Sequence, residues 1–298
     1  MSENLIKQMK TRREFLSIAA GSLLLTKTAS LFGRENLSRL LSLTSCRIGI
    51  CDWDIRATGS PASFAVAKEL GYDGVQVSFE TGGPDSLADK VNRPKFVTAA
   101  KESGAGIASL CMGLLNSYPL ATTAEAESWV ENCLDAMVDL NVDQVLLAFF
   151  ANGDMYEKKD HQPLVIDKLK RLATIAEKKN KILAVESYLS AEDNIRLLDA
   201  IRSDAVKVYY DVRNSHNKGY DIFREMETLG KKNLISQIHF KEDHSLLGQG
   251  DINFTRVVET LGKIDYNGWL IVESSTKGDW KESHIANARY VKKLIGKA

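Results

Sequence analysis

The 298-residue chain reads as a single closed (β/α)8 barrel, an α/β fold. Three observations predict it. From Arg47 onward, short apolar segments alternate with amphipathic ones eight times, the alternation of a parallel sheet wrapped by helices. Four consecutive apolar segments end in a polar residue, at Glu186, Asp211, His239 and Glu273, spaced 25, 28 and 34 residues apart (211−186, 239−211, 273−239), which suits strand, loop, helix and return. The length also leaves room for the roughly 250 residues that such a barrel needs.

The units follow in order. Ile48 to Trp53 is the first expected strand, and Ser60-Pro61 opens a helix through Leu70, with Pro in the first turn. Val75 to Phe79 is the second strand, and a helix from Arg93 to Ser103 stops at Gly104. Ile107 to Met112 is the third strand; Thr122-Thr-Ala-Glu125 then carries a helix-start signature for a helix to Leu140. Val142 to Phe150, apolar throughout, is a buried parallel strand. Pro163 to Lys179 carries Ile166, Leu169, Leu172, Ala173 and Ala176 on one helical face. Ile182 to Tyr188 is strand five, with a helix capped at Ser190 running to Ile201, and Val206 to Asp211 is strand six. Asp221 to Leu229 is helical, Leu234 to Phe240 is strand seven, Phe254 to Leu261 is helical, Trp269 to Glu273 is strand eight, and Ser283 to Leu294 closes the chain.

The barrel spans 47–298, with no second domain or internal linker expected after residue 46. Ahead of it, Thr11-Arg-Arg-Glu-Phe-Leu16 leads into the uncharged run Ser17 to Thr26, which reads as a twin-arginine export signal over 1–30 and predicts a periplasmic or otherwise exported protein. The run is shorter than the about 20 residues of a comfortable membrane span. Residues 31–46 are expected to form a linker. Lys plus Arg equals Asp plus Glu at 39 each, so no global basic excess supports a nucleic-acid partner. The cysteines at 46, 51, 111 and 133 form no Cys-x-x-Cys motif, and the last three are expected to be buried thiols.

In a closed barrel the carboxyl ends of the strands converge on one face, where the chemistry of this architecture sits. Glu186, Asp211, His239 and Glu273 should then meet there. Three oxygen donors and one imidazole suit one divalent ion such as Mn²⁺, Mg²⁺ or Co²⁺. Residues two apart on a strand share a face, so Tyr188 should point with Glu186, Arg213 with Asp211, and Lys241 with His239. Lys241 and Arg213 are expected above the ion, facing substrate. His216, Tyr188 and Trp53 are further candidate substrate contacts; ordinary surface or packing roles stay open for each, as for His244. Leu247-Gly-Gln-Gly250 lacks the Lys-Ser/Thr of a phosphate loop and does not open a helix from a strand.

The segments Asp211-Val-Arg-Asn214, Ile238-His-Phe-Lys241, Leu247-Gly-Gln-Gly-Asp251 and Trp269-Leu-Ile-Val-Glu273 resemble the xylose isomerase-like barrel superfamily, in particular its sugar-phosphate isomerase/epimerase branch. The resemblance covers about Arg47 to Lys297. It implies one ion held by Glu186, Asp211, His239 and Glu273, with Mn²⁺ foremost and Mg²⁺, Co²⁺ or Zn²⁺ as alternatives. It also implies a carbohydrate substrate whose carbon proton is removed by one of Glu186 and Glu273 and returned by the other, through an enediolate. Arg213, Glu242 and Gln76 depart from the branch's usual Gly, Asp and acidic residue at those places. The expected function is thus a metal-dependent sugar isomerase or epimerase. Alternatives are a lyase or hydrolase of 3-keto-glycosides, a non-catalytic sugar-binding barrel, and an endonuclease IV-like phosphodiesterase. Five histidines are few for the three zinc ions of the last. Assembly into a homo-oligomer stays open.

Overall fold

A computed structural model describes residues 43–274, 276 and 278–297; the segment read as an export signal lies outside them. The eight strands are β1 (Arg47–Cys51), β2 (Gly74–Ser78), β3 (Gly106–Met112), β4 (Gln144–Phe149), β5 (Ile182–Ser187), β6 (Val206–Asp211), β7 (Ile235–Glu242) and β8 (Trp269–Ser274). All pair in parallel in sequence order, and β1 pairs β8, which closes the barrel. The helices among the described residues are α1 (Ser63–Glu69), α2 (Arg93–Ser103), α3 (Ala126–Asp139), α4 (His161–Lys178), α5 (Ala191–Ile201), α6 (Val212–Asn217), α7 (Ile222–Lys231), α8 (Phe254–Lys263) and α9 (Trp280–Leu294). None is long and apolar enough to cross a membrane.

Two cores follow from strand alternation. Outward residues such as Ile48, Val75, Leu147, Val185 and Leu270 pack under the helices. Inward residues Cys51, Ala108, Cys111, Leu146, Ala148, Ala184, Tyr209, Trp269 and Ile271 fill the bore. Trp269 plugs its amino-terminal end. A Cβ on Gly74 would lie 2.5 Å from both the Trp269 ring and the Gly106 carbonyl, so glycine makes room for the plug. The Arg47 guanidinium covers the ring from outside, 4.0 Å from its centroid.

Several boundaries move. Pro61 lies in the turn before α1, and α3 starts at Ala126 rather than Thr122, whose N–H, like that of Thr123, closes a turn on the Pro119 carbonyl. The last helix starts at Trp280, where the Asp279 carboxylate accepts from Glu282 N. Leu43 and Cys46 are buried against the barrel, so the end of the expected linker belongs to the packed body. The larger departure follows β6. The chain turns helical at Val212, so strand alternation stops at Asp211 and no longer governs Arg213.

Candidate active site and metal centre

The four donors converge as their strands end. One ligand atom from each of Glu186, Asp211, His239 and Glu273 can be chosen so that all lie within 4.8 Å of one another. His239 Nδ1 stands 2.9 Å from Glu186 Oε1, 3.1 Å from Glu273 Oε2 and 3.7 Å from Asp211 Oδ2. Asp211 is divided between two tasks. Its Oδ1 accepts from the backbone N–H groups of Arg213 and Asn214 at 2.8 Å, capping α6, while Oδ2 is buried and accepts no hydrogen bond. A buried carboxylate oxygen left bare is costly unless a cation meets it. Three carboxylates around one imidazole edge, with that oxygen met only by the 3.5 Å approach of Lys241 Nζ, fit a hard divalent ion.

The electrostatics agree. Burial disfavours a charged His239, but the groups around it, Tyr209 and Glu186 foremost, outweigh burial and drive the imidazole well above its ordinary range. Burial raises Glu186. Burial would raise Glu273 as well, yet His239 and Lys241 together hold it down at about 2. Lys241 Nζ lies 3.1 Å from Glu273 Oε2 and 3.5 Å from Asp211 Oδ2.

Above the donors lies a cavity of about 450 Å³, lined by Glu186, His239, Lys241 and Glu273 and walled by Trp53, Phe150 and Tyr188. That volume is within the range of small-molecule sites. Trp53 meets His239 edge-on, with centroids 6.4 Å apart, and Phe150 leans on Tyr188 at 4.7 Å. Tyr188, Trp53 and Lys241 therefore line the cavity, whereas Arg213 and His216 do not. Because α6 turns it away, the buried Arg213 guanidinium binds the carboxylates of Glu242 and Asp251. His216 is partly exposed and pairs with Asp251 at 3.2 Å. Both are thus corrected from expected substrate contacts to ties holding the loop after β7.

Phe150, Asn116 and Asn214 line the cavity and were not anticipated. Phe150 follows the last residue of β4, so extending the strand-end rule to aromatics would have found it. Gln76 was noticed only as a departure, yet its Oε1 lies 2.9 Å from His239 Nε2. All four cysteines are buried, in line with the expectation for Cys51, Cys111 and Cys133.

The chain belongs to the xylose isomerase-like TIM barrel family, whose model matches residues 64–294. It is 26% identical over 246 residues to the putative L-ribulose-5-phosphate 3-epimerase SgbU of Escherichia coli strain K12, covering 73% of this chain and 84% of that one. Among solved structures, the fold is similar to D-psicose 3-epimerase crystallised with D-fructose, at TM-score 0.73 and 15% identity, with 84% of this chain and 99% of that one covered. It is also similar to the apo 3-keto-D-glucoside 4-epimerase YcjR of E. coli, at TM-score 0.66 and 16% identity over 83% of this chain and 99% of that one. Family, relatives and site all point to isomerase-class chemistry on a carbohydrate.

Proposed function

We propose that the protein is a divalent-metal-dependent epimerase or isomerase of an unphosphorylated keto-sugar or sugar derivative, with Glu186 and Glu273 exchanging a proton with the carbon beside the ketone. One observation carries the reading: carboxylates from β5 and β8 approach the same His239 nitrogen, at 2.9 and 3.1 Å, on the floor of one cavity. Two carboxylates on one cavity floor support a pair that shares one small substrate. Glu186, Asp211, His239 and Glu273 would hold a divalent ion, with Mn²⁺ as the proposed ion, which would supply positive charge beside a substrate oxygen as the carbon proton is removed. One glutamate takes the proton and the other returns one to the opposite face. Lys241, already paired with Glu273, is positioned to hydrogen-bond a substrate hydroxyl. Trp53, Phe150 and Tyr188 offer apolar faces for the C–H side of a sugar ring.

Besides His239, Lys241 is the one cationic side chain among the described residues lining the cavity, and two carboxylates hold it. This supports a substrate without phosphate. Export through the segment around Arg12 and Arg13 belongs to the same proposal, since free sugars and glycosides are met outside the cytoplasm. Retention of an Arg12→Lys/Arg13→Lys variant in the cytoplasm would bear it out.

The deciding experiment incubates the Mn²⁺-loaded protein with a panel of ketohexoses, ketopentoses and 3-keto-glucosides in D₂O and follows exchange and epimer formation by NMR. The expected result is exchange at one carbon, lost about 10²–10⁴-fold in Glu186→Gln and in Glu273→Gln. Release of an aglycone would instead show a lyase or hydrolase. Binding without exchange would show a non-catalytic barrel.

A further inference from the structure

Beneath the metal donors, the bore holds a buried polar chain whose hydrogen bonds can point only one way. Gln76, Ser109 and Gln237 are fully buried and Tyr209 is 1% exposed. Gln76 is paired with Ser109, and Tyr209 with Gln237, at the two places where the barrel's register shifts, between β2 and β3 and between β6 and β7. Alternation turns Gln76, Tyr209 and Gln237 inward with Gly74, Asp211 and His239, so polar side chains stand in a bore whose other filling is apolar.

The direction is set at a backbone carbonyl, which can only accept. Gln237 Nε2 donates to Ala108 O at 3.3 Å, which turns Gln237 Oε1 toward Ser109. Ser109 Oγ gives its single proton to that oxygen at 2.7 Å. It must therefore accept at its other contact, where Gln76 Nε2 donates at 3.0 Å. The second Gln76 amide proton goes to Tyr209 OH, also at 3.0 Å. With both amide protons committed, Gln76 Oε1 faces His239 Nε2 at 2.9 Å; the Cys51 sulfur lies 3.5 Å from that oxygen and 3.6 Å from Nε2, so a thiol proton given to Gln76 leaves the sulfur a weak acceptor toward Nε2. An amide oxygen only accepts, so the proton sits on His239 Nε2.

We infer that Gln76 is a positioning residue that, oriented from Ala108 through Gln237 and Ser109, keeps a proton on His239 Nε2 and so leaves Nδ1, which faces Glu186, Asp211 and Glu273, as the nitrogen that exchanges its proton for an ion. The inference rests on the reading of those four residues as a metal centre. An amide suits this place because it can accept from His239 while donating onward to Ser109 and Tyr209. Such a partner orients the ring and raises ligand basicity. A flipped amide would present N–H to His239, push its proton to Nδ1 and block the donor.

The test is the affinity of the full chain for Mn²⁺ by calorimetry and chelator competition, with circular dichroism melts to confirm folding. Gln76→Met should weaken binding roughly 10–100-fold, the usual effect of removing such a partner. Gln76→Glu, which keeps an acceptor facing Nε2, should stay within a few-fold of the wild type. Ser109→Ala, which touches neither the ion nor His239, should also weaken binding, because it removes one of the two acceptors that orient the Gln76 amide. In the Zn²⁺-loaded wild type, ¹⁵N NMR should place the remaining His239 proton on Nε2. Wild-type affinity in Gln76→Met or in Ser109→Ala overturns the inference while leaving the metal centre standing, as does a Gln76→Glu loss equal to that of Gln76→Met. A wild type that binds no divalent ion overturns the metal centre, and this inference with it.

Discussion

Arg213, in the first turn of the helix after β6, forms a buried ion pair with Glu242, the last residue of β7, with side chains only 8% and 1% exposed. The same guanidinium reaches Asp251, and Glu242 Oε1 accepts from Ile252 N at 3.2 Å, so the loop between β7 and α8 is tied at both ends to one charge cluster. Removing one member of a buried pair leaves the other uncompensated, at about 3–5 kcal/mol. Arg213→Met should therefore lower unfolding free energy by about that amount in denaturant melts, and Arg213→Met/Glu242→Gln should recover part of it. Equal losses in the single and double variants would show that the pair is not the source.

Divalent ions should stabilise the protein. At a free Mn²⁺ concentration of 100 times its dissociation constant, the gain is about 2.7 kcal/mol, or roughly 5–10 °C in melting temperature for a domain of this size. Chelation should reverse the shift. Asp211→Asn, which alters the carboxylate oxygen between His239 and Lys241, should largely remove it. A melting temperature indifferent to Mn²⁺, Mg²⁺, Co²⁺ and Zn²⁺ would contradict the proposed centre.

Trp53 forms a wall of the cavity and meets His239 edge-on. If sugar packs against it, Trp53→Ala should raise KM roughly 2–10-fold, the equivalent of about 0.5–1.5 kcal/mol of aromatic contact, with a smaller effect on kcat. Steady-state kinetics on the substrate found in the exchange screen would decide this. A change confined to kcat would assign Trp53 to the His239 environment instead.

The carboxyl of Asp52 is buried beside β2, where it accepts from Gly59 N, Ser78 N and Ser78 Oγ. Burial outweighs those bonds and lifts it to about 6. A folded value above the unfolded one means that its contribution is fully present below about pH 4 and is lost as pH rises through about 6. Relative to Asp52→Asn, the wild type should thus lose about 1–3 kcal/mol between pH 4 and pH 7. Denaturant melts of both proteins across that window measure the difference, and a pH-independent gap would refute it.

Gly74→Ala should destabilise without touching the chemistry. The new methyl would meet the Gly106 carbonyl and Trp269 at 2.5 Å, and the carbonyl is backbone that cannot swing aside. Overpacking of this kind costs about 1–3 kcal/mol. An unchanged melting temperature would mean that the plug at the foot of the barrel can shift.

The strand–helix rhythm was legible because buried parallel strands are short apolar runs, and β6 and α2 have the expected ends. The convergence of Glu186, Asp211, His239 and Glu273 was legible for a geometric reason: strand ends meet in a closed barrel wherever they lie in sequence. Two things were hidden. Helix α6 is six residues long and is capped by the Asp211 side chain, so no hydrophobic period announces it, and Arg213 and His216 were misplaced with it. The polar chain in the bore was hidden too, since Gln76 meets Tyr209 and Ser109 meets Gln237 across separations of 133 and 128 residues. A local pattern shows a glutamine in an apolar strand, but not what it faces.

Asp211 has one oxygen turned to the donor cluster and the other clasping the amides of Arg213 and Asn214. Those two amides are consequently a built-in gauge of whether the centre is loaded. Their deuterium uptake should slow when a cation steadies the carboxylate, so occupancy can be read from the backbone before any sugar is known.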